Sequence, residues 1–169
     1  FSTDGKHLFF LTNRNFQPVY SDLDNTFIYP NTGSIAVGTL NKTEASLIAI
    51  KNNIVEEPKK EEEEKKEEDD DEEKETPKTI VDISGFENRV ELLDIPSGNI
   101  GTLYALEDKL LFLRHPNAGA PKDSKPSLDY YDFKEREVKT IISDISDFEV
   151  SANGNKILVM QKEKLAVIK

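Results

Sequence analysis

His7 and His115 are the only imidazoles in the 169 residues, and there is no cysteine. These two side chains are the chain's whole supply of groups that ordinarily change protonation near neutral pH. A general base or an activated nucleophile needs its partner within hydrogen-bond reach. His7 falls at the edge of a predicted turn, a position that needs no chemistry, and His115 precedes Pro116 at a strand end. No Gly-x-Ser-x-Gly elbow is present to present a serine. Asp22, Asp24, Asp82, Asp94 and Asp129 are scattered, with no spacing that pairs them for acid–base work. The sequence has no His-x-x-x-His, no cysteine pair and no calcium loop with its terminal Glu. It also lacks Gly-x-Gly-x-x-Gly and phosphate-binding loops. The residues therefore predict no catalytic, cofactor-binding or metal-binding residue and no cofactor.

Composition narrows the partners. Charged residues make up 33% of the chain and apolar ones 36%, but the charge is concentrated. Residues 56–75 hold 14 acidic side chains and 5 Lys, a net of -9 out of -11 for the whole chain. The other 149 residues carry a net of -2 and include nine Phe and five Tyr, an ordinary globular balance. A nucleic-acid binder needs clustered Lys and Arg to neutralise phosphates, so no nucleic-acid partner is expected. No apolar run approaches the roughly 20 residues of a membrane span. Without cysteine, disulfide scaffolds and zinc–thiolate sites are excluded. The chain opens on Phe1 within a strand-and-turn pattern and has no visible targeting segment, which reads as a piece of a longer protein.

The elements that would position any site are strands. Apolar runs or period-two alternation occur at 8–11, 34–40, 78–83, 89–95, 102–106, 110–113, 128–133, 138–142, 148–150, 157–160 and 165–168. Residues 43–50 could begin a helix, and no other stretch shows a helical stripe with caps. A repeat runs through them. Residues 1–10 (FSTDGKHLFF) align without gaps on 150–159 (VSANGNKILV), sharing apolar, Ser, small, Asx, Gly, polar, basic, then apolar residues. Asx-Gly tolerates the positive φ of a tight turn between antiparallel strands. A degenerate copy without the Gly lies at 105–113, and from there to the last copy is about 46 residues, the size of one four-stranded propeller blade. The predicted fold is all-β, a partial β-propeller of antiparallel four-stranded blades. The first blade uses 7–12, 34–40 and 79–94 without an opening strand. The second is complete over 100–143, and the third begins near 147 and stops before its fourth strand. Such a piece exposes faces that normally pack on neighbouring blades, so self-association is expected.

Two connections stand out. The 13–33 loop carries Phe16, Tyr20, Phe27 and Tyr29, which implies an ordered excursion that packs. It reads as a lid on an adjacent blade or as a peptide contact at a channel mouth. Residues 56–77 have no apolar side chain and are predicted to be a disordered acidic insertion within the first blade. That insertion is either a solvated loop or a brush that steers basic peptides, with a range near 8 Å from each charge at physiological salt.

The 1–14 segment resembles the Phe-Ser-Pro-Asp-Gly-Lys repeat of TolB-like and peptidase propellers, with Thr3 where that repeat has Pro. Residues 81–90 (VDISGFENRV) resemble the Ile-Asp-x-x-Gly-Ile-x-x-Arg-Val segment of tricorn-type serine peptidases. Ile95-Pro96-Ser97-Gly98-Asn99 is similar to that family's Pro-x-x-Gly-Asn. The resemblance covers the chain apart from the acidic block and implies the closing blades of a propeller region. It implies a serine peptidase in which propellers precede a PDZ module and a catalytic domain, with the catalytic serine and histidine outside this segment. Expected partners are peptides or unfolded protein segments and the parent's remaining blades, PDZ and catalytic domains. Exported relatives tilt localisation to the periplasm, with the cytoplasm as alternative. A TolB-like protein-binding module and the propeller cap of a prolyl-oligopeptidase-like enzyme remain as other readings. Arg89, a strand arginine amid apolar neighbours, is expected to pair with Asp82 or Asp94, or else to meet a substrate carboxylate.

Overall fold

The computed structural model describes residues 1–49, 79–162 and 164–168. The acidic insertion predicted at 56–77 lies outside the described residues.

The strands in chain order are β1 (His7–Thr12), β2 (Val19–Ser21), β3 (Thr26–Ile28), β4 (Ser34–Thr39), β5 (Val90–Leu92), β6 (Asn99–Ala105), β7 (Lys109–His115), β8 (Ser127–Asp132), β9 (Val138–Ser143), β10 (Asp147–Val150), β11 (Ile157–Gln161) and β12 (Lys164–Ile168). They form three blade sheets, ordered β1-β4-β5, β6-β7-β8-β9 and β10-β11-β12, and a separate hairpin β2-β3. Every pairing is antiparallel. The fold is all-β: a partial propeller with a complete middle blade and two three-stranded neighbours.

The repeated sequence gives a repeated turn. In the first copy Gly5 N donates to Ser2 O (3.1 Å), and the Ser2 hydroxyl accepts from His7 N at 2.9 Å. Asp4 Oδ1 accepts from Ser2 Oγ (2.5 Å) and Lys6 N (3.0 Å). In the second copy Gly154 N donates to Ser151 O (2.8 Å), Lys156 N to Ser151 Oγ (3.0 Å), and Asn153 Oδ1 accepts from Ser151 Oγ (2.8 Å) and Asn155 N (3.2 Å). Gly5 and Gly154 share φ near +70° (70 and 72), where a side chain would be strained. Asp4 and Asn153 thus do one job. Burial pulls the Asp4 carboxyl upward, but the Ser2 hydroxyl, the Lys6 amide and the nearby His7 and Lys6 outweigh it, leaving the group below its ordinary range. In the degenerate copy Leu106 N donates to Lys109 O at 2.8 Å, closing a shorter hairpin over Glu107-Asp108 that needs no glycine.

Alternation then builds two cores. Phe9, Ile35, Val37, Leu93 and Ile95 of the first blade meet Leu110, Phe112 and Tyr131 of the second. Leu111, Leu113 and Leu128, from the other side of the second blade, meet Ile145, Phe148 and Val159 of the third. β7 supplies both, and so its Leu-Leu-Phe-Leu run is buried throughout. β9, the outer strand, is mostly exposed.

Two expected elements differ. Of the strand expected at 78–83, the described part, 79–83, lies outside the sheet; Asp82 N donates to Leu40 O, and a 3-10 turn follows at Phe86–Arg89. The far edge of the Phe86 ring reaches β4, where a Cβ on Gly38 would stand 2.5 Å from its Cζ. Residues 43–49 make turns and no helix: Asn41 Oδ1 accepts from Thr43 N, and Ser46 Oγ from Ile48 N, side-chain bonds that compete with helical pairing. Leu47 and Ile48 nevertheless pack on the first core.

Candidate functional site

The two histidines are kept apart. His7 opens β1 at the turn end of the blades, facing the second sheet beside Phe9, and is buried where its repeat counterpart Lys156 is exposed. Among the described residues its Nε2 has no hydrogen-bond partner. His115 closes β7, a seven-residue strand away from the Lys109 turn, and lies over Gly101. Among the described residues no three His, Asp or Glu side chains gather to hold a metal. Of the acidic residues singled out in the sequence, Asp24, Asp82 and Asp129 have separate local tasks. Asp24 accepts from Thr26 Oγ1 in the β2-β3 turn, and hydrogen bonds from Ser21 and Thr26 hold its carboxyl below the ordinary range. Asp82 accepts from Lys42 N at 3.0 Å.

Arg89 makes neither expected carboxylate contact. Its guanidinium is filled with backbone carbonyls: Nε donates to Thr39 O (3.0 Å), Nη1 to Ser84 O (3.2 Å), and Nη2 to Leu40 O (3.4 Å) and Asp82 O. The Phe86 ring lies beneath it, 5.8 Å from Cζ. The fork thus ties the end of β4 to the 82–89 segment and offers little to a substrate carboxylate. Arg89→Ala is expected to lower unfolding free energy by about 2 kcal/mol. Arg89→Lys should restore less than half, because an ammonium cannot span the same carbonyls. Urea titration reads both; unchanged stability with weakened peptide binding would reverse the assignment.

Asp129 is the buried acid of the middle blade. It accepts from Arg114 Nε at 3.0 Å and Thr140 Oγ1 at 2.9 Å, with 5% of its side chain exposed. Arg114 also donates to Pro96 O (3.1 Å), so the network fastens β7, β8 and β9 to the segment that leaves the first blade.

Two surfaces among the described residues are suited to a polypeptide. At the turn end, the three equivalent hairpins border a bowl of about 700 Å³ lined by Thr3, Glu107, Asp108, Lys109, Asn153 and Asn155. A crevice of about 170 Å³ shares Thr3 and Glu107 with it and runs past His7, Leu47 and Phe133. The Asp108 carboxylate, 3.0 Å away, holds the Lys109 ammonium above its ordinary pKa. This rim can hydrogen-bond a polypeptide, and it presents no assembled nucleophile.

The second surface is the β2-β3 arm. It is ordered: Tyr20 and Phe27 are register partners with ring centroids 5.6 Å apart, and Phe16 meets Tyr29 edge-on at 6.4 Å. Its foot is fixed by the Gly33–Gly98 bridge and by Ala118 N donating to Asn31 Oδ1 at 2.8 Å. The expected packing onto a blade is not seen, because Phe16, Val19, Tyr20, Leu23, Phe27, Ile28 and Tyr29 are all exposed. The sequence flagged the aromatics; that they form their own pairs in solvent was signalled only by Asp22, Asp24 and Asn25, a turn cluster in the middle of the loop.

The whole sheet arrangement has a counterpart among known proteins. The chain is 30% identical over 177 residues to Tricorn protease homolog 1 of Streptomyces coelicolor (strain ATCC BAA-471 / A3(2) / M145), an alignment that takes in 99% of this chain and 16% of that protein. Over its length the chain resembles that tricorn protease homologue. The crystal structure of the tricorn protease superposes with a TM-score of 0.68 over 99% of this chain and 15% of that one, at 18% identity, which establishes the shared fold. No family model matches the sequence. The chain therefore spans about one sixth of the curated relative, and its sheets are a fragment related to a tricorn-like peptidase. Among the described residues no helix is long and apolar enough to cross a membrane.

Proposed function

We propose that the chain is a noncatalytic propeller segment of a tricorn-like serine peptidase, routing or filtering peptides toward an active site outside this chain. The match to a protease homologue across 99% of the chain carries the reading. It is supported by the separation of His7 from His115 and by two open surfaces suited to polypeptide, the polar bowl and the aromatic arm. Aromatic side chains offer large, rigid contact area at low entropic cost, which suits capture of extended segments of varied sequence. The parent's serine peptidase activity, its PDZ and catalytic domains and its remaining blades belong to this proposal. So does a periplasmic setting, with a cytoplasmic one as the alternative.

The test is binding of a fluorescent unfolded polypeptide to the chain, followed by anisotropy, with hydrolysis measured in parallel. Saturable binding without cleavage is expected. Replacing Phe16, Tyr20, Phe27 and Tyr29 together by serine should weaken binding at least about tenfold, the loss of one modest aromatic contact or more. Far-UV circular dichroism of the blades should be preserved. Cleavage by the chain alone, or full affinity in the serine variant, would overturn the corresponding half of the proposal.

A further inference from the structure

At their turn ends the first and second blades, both present in the chain, leave between them the crevice of about 170 Å³. Its lining is mixed. β1 contributes Phe9, and the β8-β9 turn contributes Phe133, whose ring stacks on Phe9 at 5.6 Å with 6° between the planes. Leu47 and Leu106 extend the apolar wall. Asp4 and Glu107, one from the turn of each blade, add two exposed carboxylates. His7 forms part of the same wall; it is 8% exposed, and its Nε2 has no hydrogen-bond partner among the described residues.

The charge around the crevice is unbalanced. Lys6, in the turn with Asp4, is paired with Glu44 at 3.1 Å, and Lys109, two residues after Glu107, is paired with Asp108 at 3.0 Å. Asp4 takes its bonds from the Ser2 hydroxyl and the Lys6 amide. Among the described residues no cationic side chain is bound to Asp4 or to Glu107. Size and lining together select a ligand. At about 30 Å³ per water the crevice has room for roughly five to six waters, close to the bulk of a lysine side chain. Lysine suits the lining as well, because its methylene stem packs on apolar surface while its ammonium stays at the wet margin. A carboxylate side chain would be repelled there, and an uncharged one would leave both acids without a partner.

We propose that the crevice is a lysine-selective subsite for a polypeptide lying in the turn-end bowl. A lysine side chain enters between the blades, packs its methylenes on Phe9, Leu47, Leu106 and Phe133, and brings its ammonium to the Asp4 and Glu107 carboxylates. The bowl and the crevice share Thr3 and Glu107, so a backbone in the first is placed to send a side chain into the second. An unsatisfied buried imidazole is uncommon in a folded protein, and a donor arriving in this crevice accounts for one beside it. The inference rests on the peptide-routing reading, of which it names the side chain selected.

The probe is a fluorescent peptide of one unfolded sequence, made with lysine, norleucine or glutamate at its central position and bound to the full chain, with anisotropy as the readout. The lysine peptide should bind at least about tenfold tighter than the norleucine peptide, the worth of one charged hydrogen bond. The glutamate peptide should bind most weakly. Glu107→Gln combined with Asp4→Asn should abolish the preference for lysine and leave the norleucine affinity unchanged. The turn tolerates Asp4→Asn, because Asn153 makes the same hydrogen bonds in the other copy of the repeat. Glu107→Gln alone, in an exposed turn, should already reduce the preference. Glu61→Gln combined with Glu62→Gln makes the same change in net charge within the acidic block and should leave the preference intact, which separates the crevice from general attraction to a chain of net charge -11. Equal binding of the lysine and norleucine peptides, or a preference that survives the crevice variants, would overturn the subsite and leave peptide routing standing. No binding of any of the three peptides would overturn both.

Discussion

Phe112→Ala is expected to lower the unfolding free energy by about 3–5 kcal/mol, the range for removing a fully buried ring from a close-packed core. Phe112 has no exposed surface, and it sits on β7 in the contact between the first and second blades. The Arg114 guanidinium also lies over its ring, 5.3 Å from the centroid. The side chain is thus held from the core and from its polar end, which limits collapse into the vacated space. Leu111→Ala, one residue along, opens the second core instead and should cost about 2–5 kcal/mol. Chemical denaturation followed by circular dichroism reads both. A loss below 1 kcal/mol for Phe112→Ala would mean that the first and second blades do not share the core described.

Asp129→Ala should cost about 3 kcal/mol, the lower part of the range for breaking a buried ion pair. The lower part applies because 21% of the Arg114 side chain is exposed, so water recovers some of its solvation. The loss comes from three places at once: Arg114 loses its counter-charge, Thr140 its acceptor, and the Pro96 carbonyl the fixed donor that Asp129 orients. Asp129→Asn keeps an acceptor for one of the two donors and should cost less. Thermal unfolding of the two variants beside Thr140→Val separates these contributions; equal stability of Asp129→Ala and the parent sequence would show that the network carries no net stabilisation.

Much of this architecture was legible in the sequence because it rests on short-range rules. Asx-Gly followed by alternating apolar residues specifies a turn and a strand locally, and two copies of it reproduce one hydrogen-bond pattern down to the serine hydroxyl. The division into three blades, with the middle one complete, follows from the spacing of those turns. What was not legible depends on neighbours distant in sequence. Thr79–Ile83 has the composition of a strand, yet Asp82 reaches the sheet only through Leu40. Arg89 was read as one half of an ion pair because carboxylates can be found in a sequence, whereas the backbone carbonyls it binds carry no letter. His7 aligns with an exposed lysine; it is buried because the middle blade stands against that side of the first sheet, whereas among the described residues no sheet stands against the corresponding side of the third. The arm's aromatics suggested burial by their hydrophobicity, and the structure spends them on one another and on solvent.

The placement of β7 has a consequence for how the molecule comes apart. Among the described residues each outer sheet packs on one neighbouring sheet, so either can peel away and leave a two-sheet remainder with its own interior intact. β7 has hydrogen-bonded strands on both edges and a packed layer on both sides, and it is released only when the last pair of layers separates. Amide protons along Leu110–Leu113 should therefore be the slowest to trade with deuterium, with protection fading toward either flank, so that the array frays from its ends inward to a single enduring ribbon.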